Sequence, residues 1–217
     1  MPRHRRPYTK KEDWKRSVID SKDWPGWDGF IKQHYDQIPY TKYPEDSKAC
    51  FLTVFQGGFR SAEAIHVKRD MVKWNDEVIV IGKVNVLKKK DRTLRDVLIK
   101  RDKLNPLADD FIDLVENGSG DYLIPKRLKF SRGLVPDKPT TTRTVYNRIN
   151  EISGRFPHEL RAYRAMMLVA ERDFTVSQLM RWFEWSKADM AIHYTATRDL
   201  AASMGITKLP TLEDMKK

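Results

Sequence analysis

Tyr194 closes a spaced series of polar residues: Arg60, then His158-Glu159-Leu160-Arg161, then Trp185, then the tyrosine itself. Two guanidinium groups, an imidazole, an indole N–H and a phenol are the parts needed to hold a phosphodiester and attack it without a metal. Arginine forks grip phosphate oxygens bidentately. Histidine moves a proton near neutral pH. A tyrosine hydroxyl can form a covalent intermediate, once something takes its proton, since its ordinary pKa lies near ~10. Each residue alone has a plainer meaning: a surface His–Arg pair on one helix face, a core tryptophan, a half-buried tyrosine. Order and spacing carry the argument. His158-Glu159 also begins the H-E-x-x-H zinc motif, but Ala162 stands where the second histidine is required. No cysteine or histidine cluster in the sequence offers a metal site.

The elements that must position these groups follow from periodicity and punctuation. Thr9 and Glu12 have the capping-box spacing for a helix start. A helix is expected over 27–37, with Pro39 and Pro44 breaking the chain after it. A buried helix opens over 46–53 and ends near Gln56-Gly57-Gly58, placing Arg60 in a turn before a short helix over 61–67. Val78-Ile79-Val80-Ile81 reads as a strand that returns over 93–99, with Lys88-Lys89-Lys90-Asp91-Arg92 at the hairpin tip. An amphipathic helix over 107–116 closes at Asn117-Gly118. Residues 118–139 read as turn-rich and basic, with Tyr122-Leu123-Ile124 extended, and helices are expected over 140–152, 158–170, 176–183 and 189–204. The fold class is α+β, mainly helical with a small antiparallel sheet.

The 217 residues are 40% hydrophobic, enough for one substantial domain with a packed core. No apolar run approaches the ~18–20 residues of a membrane span, and the charged start Met1-Pro2-Arg3-His4-Arg5-Arg6 lacks the apolar stretch of a secretory signal. Cys50 is the only cysteine, so no intrachain disulfide can form, an intracellular setting (cytoplasm or nucleoid) is expected, and Cys50 itself reads as a small core residue. Forty-one basic against 30 acidic residues give a net charge of +11. That surplus favours a polyanionic partner, double-stranded DNA before an anionic membrane. Arg3, Arg5, Arg6, Lys10, Lys11, Lys15 and Arg16 crowd an N-terminal arm over 1–16.

At this point a resemblance can be stated. Phe55-Gln56-Gly57-Gly58-Phe59-Arg60-Ser61-Ala62-Glu63, Val80-Ile81-Gly82-Lys83, Pro157-His158-Glu159-Leu160-Arg161-Ala162, Phe183-Glu184-Trp185-Ser186 and Tyr194, nine residues after Trp185, stand in the sequence in that order. Together they resemble the catalytic domain of the tyrosine recombinase (phage integrase) family over roughly residues 8–205. The resemblance implies Arg60 and Arg161 on the phosphate and Glu63 orienting Arg60 or His158. It implies His158 as base or hydrogen-bond donor, Trp185 in the place of the commoner histidine, and Tyr194 as nucleophile. A hairpin lysine is implied as the acid for the departing 5′-oxygen. Lys83 fits the I-G-K text, Lys88 is the alternative, and Asn85 occupies a place that one alignment would give to lysine.

The same resemblance implies a 3′-phosphotyrosyl intermediate with no need for ATP, metal or other cofactor, and self-association on DNA from dimer to tetramer. It divides the chain into the arm (1–16), a catalytic domain (17–205) and a tail (206–217) suited to docking on a neighbouring protomer. Arg60 comes too early for the family's N-terminal clamp domain to precede it, so either a catalytic domain of a longer chain or a minimal recombinase is expected. Arg143 and Asn147, four apart on one helix face, are candidates for base or phosphate contact, and Arg127, Lys129 and Arg132 for backbone contact. Two alternatives share the chemistry or the fold: DNA relaxation of the type IB topoisomerase kind, and a DNA-binding protein without activity.

Overall fold

The computed structural model describes residues 24–86, 94–128 and 133–203. The arm, the tail, the tip lysines Lys88, Lys89 and Lys90, and Lys129 and Arg132 lie outside the described residues.

Helix α1 (Gly26–Gln33) leaves α-helical geometry at His34 and continues as a 3-10 helix over Tyr35–Tyr40. The expected single helix over 27–37 is thereby corrected. Pro39 is the reason, because its ring would collide with the Tyr35 carbonyl of a continued α-helix. Helix α2 (Pro44–Gly57) starts with proline in its first turn and with Glu45 and Asp46 facing the positive end of the helix dipole. It buries Ser47 and every residue from Ala49 to Gly57, as an element packed on all sides must. It packs against α4 (Ala108–Asn117), α5 (Thr142–Ser153) and α6 (Pro157–Arg172). Cys50 lies in this buried run and its thiol is pushed up by desolvation, as a core residue should be. An aromatic group formed by Trp24, Trp27, Phe30, Phe55 and Tyr163 ties α1 to α2 and α6.

One three-stranded antiparallel sheet has the order β1 (Val72–Trp74), β2 (Val78–Asn85), β3 (Leu94–Lys100). In β3 the inward face is Arg95, Val97 and Ile99, and Leu94, Asp96, Leu98 and Lys100 face out. The expected hairpin is present, and β1 adds an edge too short to show any alternation. The turn-rich reading of 118–139 needs a larger correction. The segment contains a two-stranded antiparallel ribbon, β4 (Pro125–Arg127) with β5 (Leu134–Pro139). Three prolines and a bulge hid it, and a two-stranded ribbon tolerates prolines because each strand has an unpaired edge.

Helix α5 begins at Thr141, whose side chain accepts from the Thr144 N–H, and ends at Gly154 in the left-handed region. Helices α6, α7 (Val176–Phe183) and α8 (Asp189–Ser203) complete the described residues. No helix among the described residues is long and apolar enough to cross a membrane.

Candidate active site

The site is organised by a carboxylate rather than by its arginines. Arg60 is the N-cap of the short helix α3 (Ser61–Ala64), and Glu63 sits three residues on, where its side chain can turn back. One Glu63 oxygen accepts from the Arg60 backbone N–H at 3.0 Å, and the other pairs with the Arg60 guanidinium at 2.8 Å. The first oxygen also lies 3.7 Å from Arg161 and 3.7 Å from Arg95. Glu63, 2% exposed, therefore sits among three guanidinium groups. One negative charge against three positive ones leaves a local surplus suited to an anion.

Arg161 is delivered by the first turns of α6. Pro157 opens that helix, and the Glu159 carboxylate accepts from the Phe156 N–H at 2.7 Å, the reciprocal half of a capping box. Arg161 is 3% exposed, donates to the Gly58 and Phe183 carbonyls, and stacks 4.6 Å from the Phe183 ring. Burial, then the like charges of Arg95 and Arg60, push its pKa down to about 9, so it stays cationic at neutral pH. Gly58 makes this geometry possible. It ends α2 with φ 55°, and a Cβ there would stand 2.5 Å from the Trp182 ring. His158, three residues before Arg161, is exposed on the first turn of α6.

Helix α7 supplies the aromatic wall. Thr175 and Gln178 cap its start reciprocally, and its end turns through Glu184 at φ 54°. That turn sets Trp185 against Phe183, with ring centroids 4.5 Å apart and planes within 10°. Tyr194, on the second turn of α8, stacks on Trp185 at 5.8 Å and 11°. The tyrosine is 5% exposed. Burial pushes its pKa up to about 12, against the opposing pull of Arg161. The phenol is accordingly held neutral, close enough to a guanidinium to feel its charge.

Arg60, Glu63, Arg161, Trp185 and Tyr194 are thus brought together. Lys83 lies at a bulge in β2, exposed, in the left-handed region at φ 59°, with its N–H donating to Asp96 Oδ1 at 2.9 Å. The rival Lys88 lies outside the described residues. Asn85 is the last residue of β2, and its side-chain oxygen is buried without a partner.

Arg95 is the residue that motif reading missed. It is 5% exposed, pairs with Glu63, reaches the Gly57 carbonyl, and stacks at 5.2 Å from Phe59 and 5.8 Å from Trp182. It donates to the Trp182 carbonyl, while the Trp182 indole N–H donates to the Leu98 carbonyl at 3.2 Å. Strand β3, the Arg60 turn and the end of α7 are joined through these contacts.

The peripheral candidates separate. Arg143 and Asn147 are both exposed on α5, with Arg143 lying 5.3 Å from the Tyr146 ring. Arg127 is engaged by Asp46 and, at 2.9 Å, by Glu45, so its charge is spent within the chain.

Residues 31–200 match the phage integrase family. The chain belongs to this family, the tyrosine recombinases. Among solved structures, this integrase-family chain is similar to the XerH site-specific recombinase bound to palindromic difH substrate in a post-cleavage complex. The TM-score is 0.55 at 17% identity, over 84% of this chain and 53% of that one. A pre-cleavage XerH complex with difH substrate gives 0.54 at 17% identity, over 82% and 51%. The integrase-family chain spans about half the length of these structures. Comparison with curated proteins finds none that matches. The mainly helical fold with a small antiparallel sheet is the catalytic-domain fold of the family.

Proposed function

We propose that the chain is a site-specific DNA recombinase that cuts and rejoins one strand at a time through Tyr194. The observation that carries this reading is the Glu63-centred group of arginines beside a tyrosine stacked on Trp185. The Tyr194 Oη attacks the phosphorus, the bond to the 5′-oxygen breaks, and a 3′-phosphotyrosyl ester forms. The phenolic proton leaves to His158 or to solvent, and the Lys83 ammonium protonates the departing 5′-oxygen. Arg60 and Arg161 stabilise the charge that builds on the non-bridging oxygens. Trp185 braces the tyrosine ring and can offer its indole N–H to the phosphate. Because the ester stores the bond energy, the reverse step needs only a new 5′-hydroxyl. An assembly of protomers on duplex DNA then exchanges strands, with the basic surplus providing backbone attraction.

The test is covalent capture. Protein and its Tyr194→Phe variant are incubated with a nicked random duplex library and denatured in detergent. DNA retained by the wild type but not by the variant is the expected result, and its sequence gives the site preference. Band shifts without retained DNA would remove the catalytic assignment and leave a DNA-binding chain. Relaxation of supercoiled plasmids of unrelated sequence by a monomer would move the activity to the topoisomerase kind.

A further inference from the structure

Helix α6 carries a second buried arginine one turn beyond Arg161. Arg164 is 2% exposed, with its guanidinium carbon 5.5 Å from the Phe55 ring and 5.6 Å from the Trp182 ring. Its Nε and Nη1 are buried without a hydrogen-bond partner, and among the described residues no carboxylate pairs with it. Desolvation, and then the like charge of Arg172, push its pKa down to about 9, which leaves it cationic at neutral pH. A buried cation with unmade hydrogen bonds is strongly unfavourable unless something negative or polar meets it.

The adjoining space can take that partner once the guanidinium, whose Nε and Nη1 are closed to water, turns toward it. A cavity of about 360 Å³ is lined by Arg164, Arg172, Lys100 and Asn105, with Leu98 and Phe174 among its apolar walls, and among the described residues no acidic side chain lines it. This is at the small end of the ~300–1,000 Å³ typical of small-molecule sites. Asn105 is occupied by Gln56 and the Lys100 carbonyl. Beside the cavity Asp102 is held by Arg172 and lies 3.5 Å from Lys100, and its carboxyl is held below the usual range chiefly by the Arg172 hydrogen bond. One acid is shared between two cations there, and Arg164 has none. No ion pair joins Arg164 to Glu63, although Arg164 and Arg95 lie against the same Trp182 ring.

We propose that this cavity binds a small organic anion, with its carboxylate on Arg164 and its apolar body against Leu98 and Phe174. The Lys100 ammonium, on a side chain 68% exposed, attracts the head group at the entrance. Free inorganic phosphate shares the charge but not the apolar body, so the two sources of negative charge can be separated.

The full chain, labelled with ¹⁵N at arginine, is titrated at constant ionic strength with benzoate and separately with inorganic phosphate. The Arg164 Nε–H resonance is assigned by its loss in Arg164→Met, a change that exchanges a buried charge for an apolar chain of similar length. The expected result is a saturable shift of that resonance with benzoate and a rise in Tm of several degrees, absent in Arg164→Met. Lys100→Ala should weaken benzoate at least threefold. Should Arg164→Met fail to fold, the rise in Tm of the wild type with benzoate and its weakening in Lys100→Ala still decide. No saturable shift with either anion, or an equal Tm response in Arg164→Met, overturns the proposal and leaves a solvent-filled void. A response to phosphate with none to benzoate overturns the organic-anion assignment. None of these readouts depends on strand cleavage, so this proposal and the recombinase reading fail separately.

Discussion

At the scale of single residues, Tyr194 is held in its protonated form by its burial. Tyr194 has its pKa raised to about 12 from an ordinary 10.0. A raised phenol pKa contributes stability that is fully present below pH 10 and is lost as the pH climbs toward 12. Alkaline unfolding of the wild type should therefore steepen over that interval, by about 2–3 kcal/mol in all, and Tyr194→Phe should remove the steepening. Difference titration of phenolate absorbance between the two proteins checks the same point, since the missing tyrosine should be one that ionises late. Glu63 is the second residue with a definite consequence. Glu63→Gln leaves three guanidinium groups around a neutral amide. Loss of about 3 kcal/mol of stability in urea is expected, as is normal for a broken buried pair. Covalent capture should fall on the order of 100-fold as the arginines spread. An unchanged unfolding midpoint would mean that Glu63 does not hold the group together.

At the scale of elements, the helices that carry the candidate site residues were legible and the ribbons were not. The spacing from His158 to Arg161 placed both on the first turns of α6, whereas the stacking of Tyr194 on Trp185 is seen only in the structure. Strand β1 and the β4–β5 ribbon escaped because three-residue strands and proline-bearing strands carry no period to read. Arg95 escaped for a different reason. Its signal was present, since alternation puts it on the inward face with Val97 and Ile99, and a charge among core positions requires a partner. That partner is Glu63, 32 residues earlier in the chain, and pairing over such a separation is invisible to local pattern. Cys50 and the buried run of α2 were read correctly because a continuous apolar run in a helix has few other meanings. The junction of α2 with α3 depends on Gly58. Gly58→Ala meets both an unfavourable backbone region and the Trp182 ring, so a loss of about 2–4 kcal/mol in chemical unfolding is expected. Arg161 should lose its carbonyl partner in the same variant, and covalent capture should fall with it.

At the scale of the whole molecule, charge sets the terms of any encounter with DNA. The surplus of +11 is spread over a surface where Arg127, Arg101 and Lys48 are already paired internally. Attraction to a duplex should be strongly salt dependent, with affinity falling about a thousandfold between 50 and 200 mM salt, as measured by fluorescence anisotropy. A shallow dependence would count against backbone-dominated binding. Double replacement of Arg143 and Asn147 by alanine should leave that slope nearly intact if they read bases and reduce it by about one if Arg143 touches phosphate. Association with other proteins is governed by a different surface. Strand β3 is the outer strand of its sheet, and Leu94 and Leu98 on it are more than half exposed, the composition of an edge that recruits foreign strands. The Trp182 indole occupies the Leu98 carbonyl. The side chain that lies against Arg95 thus also covers one acceptor on β3, so Trp182→Ala should leave this strand more prone to pair with a second chain.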